Sequence, residues 1–349
     1  MKVLVGLVAA VAIGIALSLA HSIFAPVAFA LFIIAVVWPM QSALERRMPA
    51  LLATVVTLLT TLLVVGAVTW LIVWGLGHVG QWAFANTARF QALYDQAGAW
   101  LEGHGFVPAA LIAENLDVRW LLRVFQDLSF RLQGLTSFLI FTFVYVLLGL
   151  LEARSIESQL RKLGAGGAHA ELGRFLLASV ADIARKFQKY MVVRTLMSIA
   201  TGFIVWAFTL TAGLELALAW GALAFALNYV PFIGPFVATL LPTLFALAQL
   251  GSWEMAVFVF VSLNVIQFLT GSYIEPRMAG AALATSPFLV LFSVFFFAFL
   301  WGIAGAFIGV PILIAGLTFC AHHPSGRFIA DIFSGQPAEK KRPGIDGLA

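Results

Sequence analysis

The chain of 349 residues carries little charge and almost no cysteine. Charged residues make up 10% of it and hydrophobic residues 62%, whereas a soluble domain carries about 25% charged residues. This composition excludes an ordinary soluble domain and indicates a protein with several membrane-spanning segments. The single cysteine, Cys320, excludes an internal disulfide and any metal cluster built on several cysteines. The net charge of +4 is too small and too dispersed for a nucleic-acid surface, so no nucleic-acid partner is expected.

Apolar runs divide the chain, and several are shorter than the roughly 20 residues that a helix needs to span a membrane. We therefore predict an all-α polytopic membrane protein with about eight transmembrane helices, together with broken or re-entrant helices and amphipathic interfacial helices. The run after Lys2 resembles a signal peptide, but a second run, 23–38, follows almost at once and favours an anchored hairpin. The predicted regions are an N-terminal membrane hairpin and third span 1–76, a polar segment 77–133, a span 134–151, a polar segment 152–190, a transport region 191–320 and a tail 321–349.

The two polar segments differ in charge. Segment 152–190 is net basic and segment 77–133 is slightly acidic. Because basic loops remain in the cytoplasm, we predict that 152–190 and both termini are cytoplasmic and that 77–133 is external. Both segments carry hydrophobic residues at helical spacing, which predicts amphipathic helices. The polar tail, 321–349, is predicted to be disordered.

The stretch from Asn228 to Pro235 interrupts two apolar arms, 216–230 and 236–250, with Pro231, Gly234 and Pro235. Each arm is about 22 Å long as a helix, short of the roughly 30 Å hydrocarbon core. Two structures fit this pattern: a tight turn between two tilted spans, or a re-entrant pair whose tip lies within the membrane. A broken backbone persists at membrane depth only where protein or a water-filled cavity covers it.

A stripe of polar residues lies on the predicted helix that ends near Pro276. Its members lie within about 80° of one helical face and are Asn264, Gln267, Gly271 and Glu275. Such a stripe turns toward protein or water, either as part of a solute pathway or as a contact held by amide hydrogen bonds. Pro276 ends the span, and Glu275 is expected to pair with Arg277 as a gate, a proton-coupling carboxylate or a structural ion pair.

The other polar positions carry weaker predictions. Arg194 is interpreted as a residue at the cytoplasmic edge of its span, and Pro311 is expected to bend or break the last helix. A weaker stripe consists of Thr239, Pro242, Ala246 and Gln249. No HExxH, GxSxG or Cys/His ligand spacing occurs, so an enzyme is not expected.

The C-terminal half contains a series of motifs in fixed order. They are Pro231-Phe232-Ile233-Gly234-Pro235, Pro242, Glu275-Pro276-Arg277 with Gly280, Ser286-Pro287, Trp301-Gly302 and Val310-Pro311. In order and spacing, this series resembles the autoinducer-2 exporter family, also described as PerM-like permeases, with Ser286 standing where the family often has histidine. The resemblance implies a bacterial inner-membrane transporter that forms homo-oligomers and has no nucleotide cofactor. Members have been linked to autoinducer-2 export and others to sodium–proton antiport, so the resemblance leaves the substrate open.

The leading hypothesis is a secondary transporter that moves a small polar solute, such as a signal molecule, or an ion through the lipid bilayer. No metal or cofactor is expected, and coupling to H⁺ or Na⁺ is left open. A sodium/proton antiporter, a passive channel and a structural scaffold are the alternatives. The predicted pathway residues are Asn228, Pro231, Gly234, Pro235, Thr239, Pro242, Asn264, Gln267, Gly271, Glu275, Pro276, Arg277 and Ser286.

Overall fold

The computed structural model describes residues 8, 12, 14–92, 96, 103, 118–166, 169–280, 285–323 and 326–333, with the backbone alone for 118–136, 329 and 331. The helices are α1 His21–Glu45, α2 Ala50–Ala85, α3 Val118–Ala165, α4 Ala170–Thr211, α5 Ala217–Leu227, α6 Ile233–Leu250, α7 Trp253–Gln267, α8 Glu275–Ala279, α9 Pro287–His322 and α10 Arg327–Phe333. A π-helical segment, Phe268–Ile274, joins α7 to α8. The prediction of an all-α membrane protein is confirmed for this part of the chain. Half of the first apolar run, much of segment 77–133 and the tail from 334 lie outside the described residues.

Seven helical segments in the described part of the chain are long and apolar enough to cross a membrane. They are α1, α2, residues 137–165 of α3, α4, α6, the continuous helix from α7 to α8, and α9. Helix α5 is also apolar but is shorter and is not counted among the seven. The count rests on length and composition alone, and two of the seven segments, α6 and α9, belong to the hairpins described below.

The basic polar segment continues the neighbouring spans as helix. Residues 152–165 extend α3, and residues 170–190 form the first half of α4. The two helices meet at Gly164 and Gly173, where a Cβ on Gly173 would collide with the backbone of Gly164. Arg154 of α3 pairs with Glu45 at the end of α1. We call the end of the bundle that holds Glu45, Arg154 and the α3–α4 turn the basic end.

Helices α5 and α6 form a hairpin, the first hairpin, that is anchored at the opposite end of the bundle. Helix α2 starts five residues after Glu45 and runs about 54 Å away from the basic end. Near its far end, the Trp82 indole donates a 2.6 Å hydrogen bond to Glu215, just before α5. Gln249, near the end of α6, accepts from the Glu215 amide at 2.8 Å and donates to the Gly213 carbonyl at 2.9 Å. Both ends of the first hairpin therefore lie at this end, which we call the Trp82 end.

Helix α9 folds back on itself as a second hairpin. Its backbone leaves the helical region at Trp301 and at Gly302, whose φ is +63°. A Cβ added to Gly305 would overlap the Phe297 carbonyl, and one added to Gly309 would lie 2.8 Å from the Ser293 carbonyl. These pairings show two antiparallel arms. The predicted break in the last helix therefore falls at Trp301–Gly302, and the prediction of a break at Pro311 is wrong, because Pro311 lies inside the second arm.

The second hairpin is anchored at the basic end. Lys186, in the first half of α4, donates a 3.0 Å hydrogen bond to Thr318, near the end of the second arm. The first arm, 287–300, is about 21 Å long and too short to span a hydrocarbon core of roughly 30 Å. In the first hairpin, α5 has 11 residues and is shorter still. The described part of the chain thus holds two hairpins that enter from opposite ends, and each has one arm too short to span the core.

The tips of the two hairpins meet inside the bundle. The Tyr229 ring, in the turn of the first hairpin, stacks on Phe307 of the second with centroids 6.0 Å apart and an interplanar angle of 19°. Phe307 also contacts Phe29 of α1, with ring centroids 5.4 Å apart. Val230 and Ile233 pack into the same hydrophobic cluster as Phe307. The hairpins are therefore joined by aromatic and apolar contacts at their tips.

Candidate functional site

The turn of the first hairpin has an unusual backbone. Phe232 has φ +62° and ψ −53°, and the Ile233 amide donates a 2.7 Å hydrogen bond to the Pro231 carbonyl. This is the γ-turn of the rare, strained kind. Gly234 follows, and a Cβ at this position would overlap the Leu227 carbonyl, so only glycine lets α6 begin so close to α5. Strain of about 1–3 kcal/mol per residue concentrates at functional sites, which makes this tip a candidate.

Two side chains of the turn attach it to the middle of α4. Asn228 is 3% exposed and donates a 3.2 Å hydrogen bond to the Ser198 hydroxyl. The Tyr229 hydroxyl donates a 3.1 Å hydrogen bond to the Thr195 hydroxyl. Because α4 continues for several turns beyond Thr195 toward the basic end, the turn lies within the bundle. The sequence left open a tight turn between tilted spans and a re-entrant pair. This packing favours the re-entrant pair, and the depth of the turn in the membrane stays a prediction.

A buried ion pair lies one turn along α4 from these contacts. The Nη1 atom of Arg194 donates to both carboxylate oxygens of Glu275, at 2.6 and 2.7 Å. The side chains of Arg194 and Glu275 are 6% and 17% exposed. The predicted pairing of Glu275 with Arg277 is wrong, because Glu275 pairs with Arg194 instead. The placement of Arg194 at the cytoplasmic edge of its span stays a prediction. Arg277 is exposed and lies 3.9 Å from the ring centroid of Tyr273.

Arg194 uses only part of its hydrogen-bonding capacity. Its Nε and Nη2 atoms are buried and have no hydrogen-bond partner among the described residues. The buried hydroxyl of Tyr190 is in the same situation within that part of the chain, and it lies close enough to interact electrostatically with Arg194 and Glu275. Each unsatisfied buried donor costs about 1–3 kcal/mol, and more when the group is charged. A polar solute with acceptor oxygens would accept hydrogen bonds from the Nε and Nη2 groups, which lie on the unused edge of the Arg194 guanidinium.

The polar stripe predicted on α7 is divided in the structure. The π-helical segment Phe268–Ile274 has more residues per turn than an α-helix, so it changes the face on which later side chains lie. Asn264 is exposed and donates to the Phe260 carbonyl of its own helix at 2.8 Å. Gln267 is half-buried, and its Oε1 has no partner among the described residues. The prediction that these positions share one face with Glu275 is wrong, because it assumed an uninterrupted α-helix.

The remaining predicted site residues take structural positions around this cluster. Thr239 and Pro242 of α6 are buried. Ser286 precedes α9 at the basic end, where its amide donates to the Phe333 carbonyl at 3.3 Å. The half-buried residues are Pro231 and Pro235 in the turn and Gly271 in the π-helical segment, and the exposed one is Pro276 at the start of α8.

Sequence reasoning missed the α4 face of the site. Four buried polar residues recur on α4 at a spacing of three to eight residues, and they are Arg194, Ser198, Thr201 and Thr209. The stripe argument that was applied to α7 also identifies this face, because a polar stripe within an apolar span turns away from lipid. The spacing of these four residues is therefore the sequence signal that identifies this face.

Comparisons with known proteins show what this chain is similar to. Residues 6–324 match the model of the family described as AI-2E family transporter. The chain is 28% identical over 323 residues to the "AI-2 transport protein TqsA" of Escherichia coli strain K12, which covers 90% of each chain. It is 25% identical over 325 residues to a "Putative transport protein" of Haemophilus influenzae, again covering 90% of each chain. It is also 36% identical over 123 residues to the "Putative transport protein YhhT" of Escherichia coli strain K12, covering 35% of each chain.

Proposed function

Because the chain belongs to the AI-2E transporter family, we propose that it is a secondary transporter that moves a small polar solute across the bacterial inner membrane. The observation that carries the proposal is the meeting of two short hairpins, inserted from opposite ends, one helical turn from the buried Arg194–Glu275 pair. Broken helices of this kind form the central binding sites of secondary transporters, where the irregular backbone lines a cavity. The pathway in this proposal runs past the Asn228–Phe232 turn and the unused edge of Arg194.

The charge distribution supports one orientation. Arg46, Arg47 and Arg154 lie at the basic end, which the positive-inside rule assigns to the cytoplasm. The first hairpin then enters from the outside and the second from the cytoplasm, and both termini are cytoplasmic. The homo-oligomeric assembly that the family resemblance implies is part of this proposal.

The Arg194–Glu275 pair also favours one kind of solute. Glu275 balances the charge of Arg194, so the Nε–H and the Nη2–H beside it offer two N–H donors on one edge without a net charge. A neutral solute with adjacent hydroxyl or carbonyl oxygens accepts both bonds, whereas an anion adds an uncompensated buried charge. This supports a neutral polar solute over ion antiport. Autoinducer-2 appears in the name of the Escherichia coli relative and is therefore the first solute to test.

Flux through proteoliposomes tests the proposal. Vesicles loaded with autoinducer-2 and containing the protein should release it with saturable kinetics, and an imposed H⁺ or Na⁺ gradient should change the rate. Arg194→Gln should reduce the flux at least tenfold, because it removes charge-assisted donors that are each worth about 1.5–3 kcal/mol. Arg277→Gln is the matched control, since Arg277 is exposed and lies outside the cluster, and it should retain flux within about twofold.

Two results would count against the proposal. Flux that neither saturates nor responds to either gradient indicates a passive channel. Equal losses in Arg194→Gln and Arg277→Gln, at equal amounts of reconstituted protein, would place the pathway elsewhere.

A further inference from the structure

One face of α3 borders an apolar groove. The groove has a volume of about 420 Å³ and lies between α2 and α3. Its lining residues include Leu58 and Leu62 of α2 and Ile140, Phe143 and Leu147 of α3. Almost all of its surface is contributed by apolar atoms. Its shape and chemistry suit a hydrocarbon chain.

The same face of α3 borders a basic pocket nearer to the basic end. This pocket has a volume of about 490 Å³ and lies between the end of α1 and α3. Its lining residues include Trp38, Ser42, Arg46, Arg154, Glu157 and Arg161. Arg154 follows Leu147 by seven residues, or about two helical turns and 10 Å, so the two sites lie on one side of α3. Leu151, between them, is 48% exposed and continues the apolar surface.

The pocket carries an excess of positive charge. Arg154 pairs with Glu45, and Arg161 pairs with Glu157 at 2.6 Å. Arg46 is exposed and has no ion pair among the described residues. The side chains of Arg154 and Arg161 are 56% and 71% exposed, so N–H donors that their carboxylates do not use remain accessible.

We propose that the groove and the pocket together hold one anionic phospholipid, with its phosphate at Arg46, Arg154 and Arg161 and one acyl chain in the groove. Basic pockets between transmembrane helices attract anionic head groups. The distance from Arg154 to Ile140 along α3 is about 21 Å, enough to cover the roughly 15 Å depth of one leaflet. A zwitterionic lipid lacks the net negative charge, and a free phosphate lacks the chain that fills the groove.

Native mass spectrometry of the purified full-length chain tests this proposal. After titration with dioleoylphosphatidylglycerol, the wild-type protein should retain one tightly bound lipid, and dioleoylphosphatidylcholine should bind far more weakly. The double variant Arg46→Gln/Arg161→Gln should weaken binding of the anionic lipid about 25-fold, since each arginine near an anionic head group contributes about fivefold. Arg47→Gln is the matched control, because Arg47 is exposed and adjacent to Arg46 but does not line the pocket.

The groove is tested by a second pair of variants. Leu62→Trp should fill the groove and release the lipid, whereas Leu63→Trp should not, because Leu63 is 71% exposed and lies outside the groove. Titration with glycerol 3-phosphate examines the head group without its chains and should give no adduct at comparable concentration. Equal binding of the two lipids, equal affinity in the double variant and the wild type, or full occupancy by glycerol 3-phosphate would each overturn the proposal.

Discussion

Breaking the Arg194–Glu275 pair should destabilise the protein much more than breaking a surface pair. Removing one partner of a buried ion pair costs about 3–5 kcal/mol, because the other charge remains buried without compensation. A surface pair contributes only about 0–1 kcal/mol. The side chains of Arg194 and Glu275 are 6% and 17% exposed, so we treat this pair as a buried ion pair. Because Glu275 retains some contact with solvent, we expect Glu275→Gln to lower the free energy of unfolding by about 3 kcal/mol, the lower end of that range.

The assay is reversible unfolding in mixed micelles, with an increasing fraction of denaturing detergent and helix content followed by circular dichroism. A double-mutant cycle with Arg194→Leu and Glu275→Leu separates the interaction from other effects. The double variant should be more stable than the sum of the two single changes predicts, with an interaction energy of about 2–3 kcal/mol. Arg277→Gln, the exposed neighbour, should change stability by less than about 0.5 kcal/mol.

The reasoning would be refuted by either of two results. One is a Glu275→Gln variant whose stability lies within about 0.5 kcal/mol of the wild type, the range of ordinary surface changes. The other is strict additivity in the cycle, which would mean that the two residues do not interact in the folded protein.

Two further predictions concern the topology and the first hairpin. The labelling assay uses intact cells, an impermeant thiol reagent and a Cys320→Ala background. The reagent should label a cysteine at Gln96 and spare one at Gly166, because the basic excess places 152–190 inside. The reverse pattern contradicts this topology. Gly234→Ala should destabilise the protein by about 2 kcal/mol or more, since its Cβ would overlap the Leu227 carbonyl. Gly271→Ala is the control, because a Cβ there meets no atom within 4 Å, and equal losses of thermal stability in both variants would contradict the packing argument.

Composition and local pattern determined the class of the protein and the first hairpin. Hydrophobic content and the lengths of the apolar runs identify a helical membrane protein, because the bilayer imposes the same length on every spanning helix. The prolines and Gly234 predict the break between α5 and α6, since their backbone constraints act within a few residues of chain. These inferences depend on local chemistry and so could be drawn without a structure.

The identity of the buried ion pair required the tertiary structure. Arg194 and Glu275 are separated by 81 residues, and only the packing of α8 against α4 brings them together. Sequence proximity favoured Arg277 as the partner of Glu275, but α8 directs Arg277 toward Tyr273 and solvent. The π-helical segment likewise rotates the residues that follow it relative to α7, which a regular helical spacing cannot predict.

The meeting of the two hairpins was also decided by the tertiary structure alone. The Trp301–Gly302 break lies within a long apolar run, so hydropathy does not distinguish a hairpin from a single kinked span. The stacking of Tyr229 on Phe307 joins residues far apart in the chain, and each of the two also contacts a neighbouring helix, Tyr229 contacting Thr195 of α4 and Phe307 contacting Phe29 of α1. The sequence determined which segments enter the membrane because hydration of the backbone and of apolar side chains is a local property. The structure determined which segments meet, because packing and charge pairing depend on distances between parts of the chain that the sequence keeps apart.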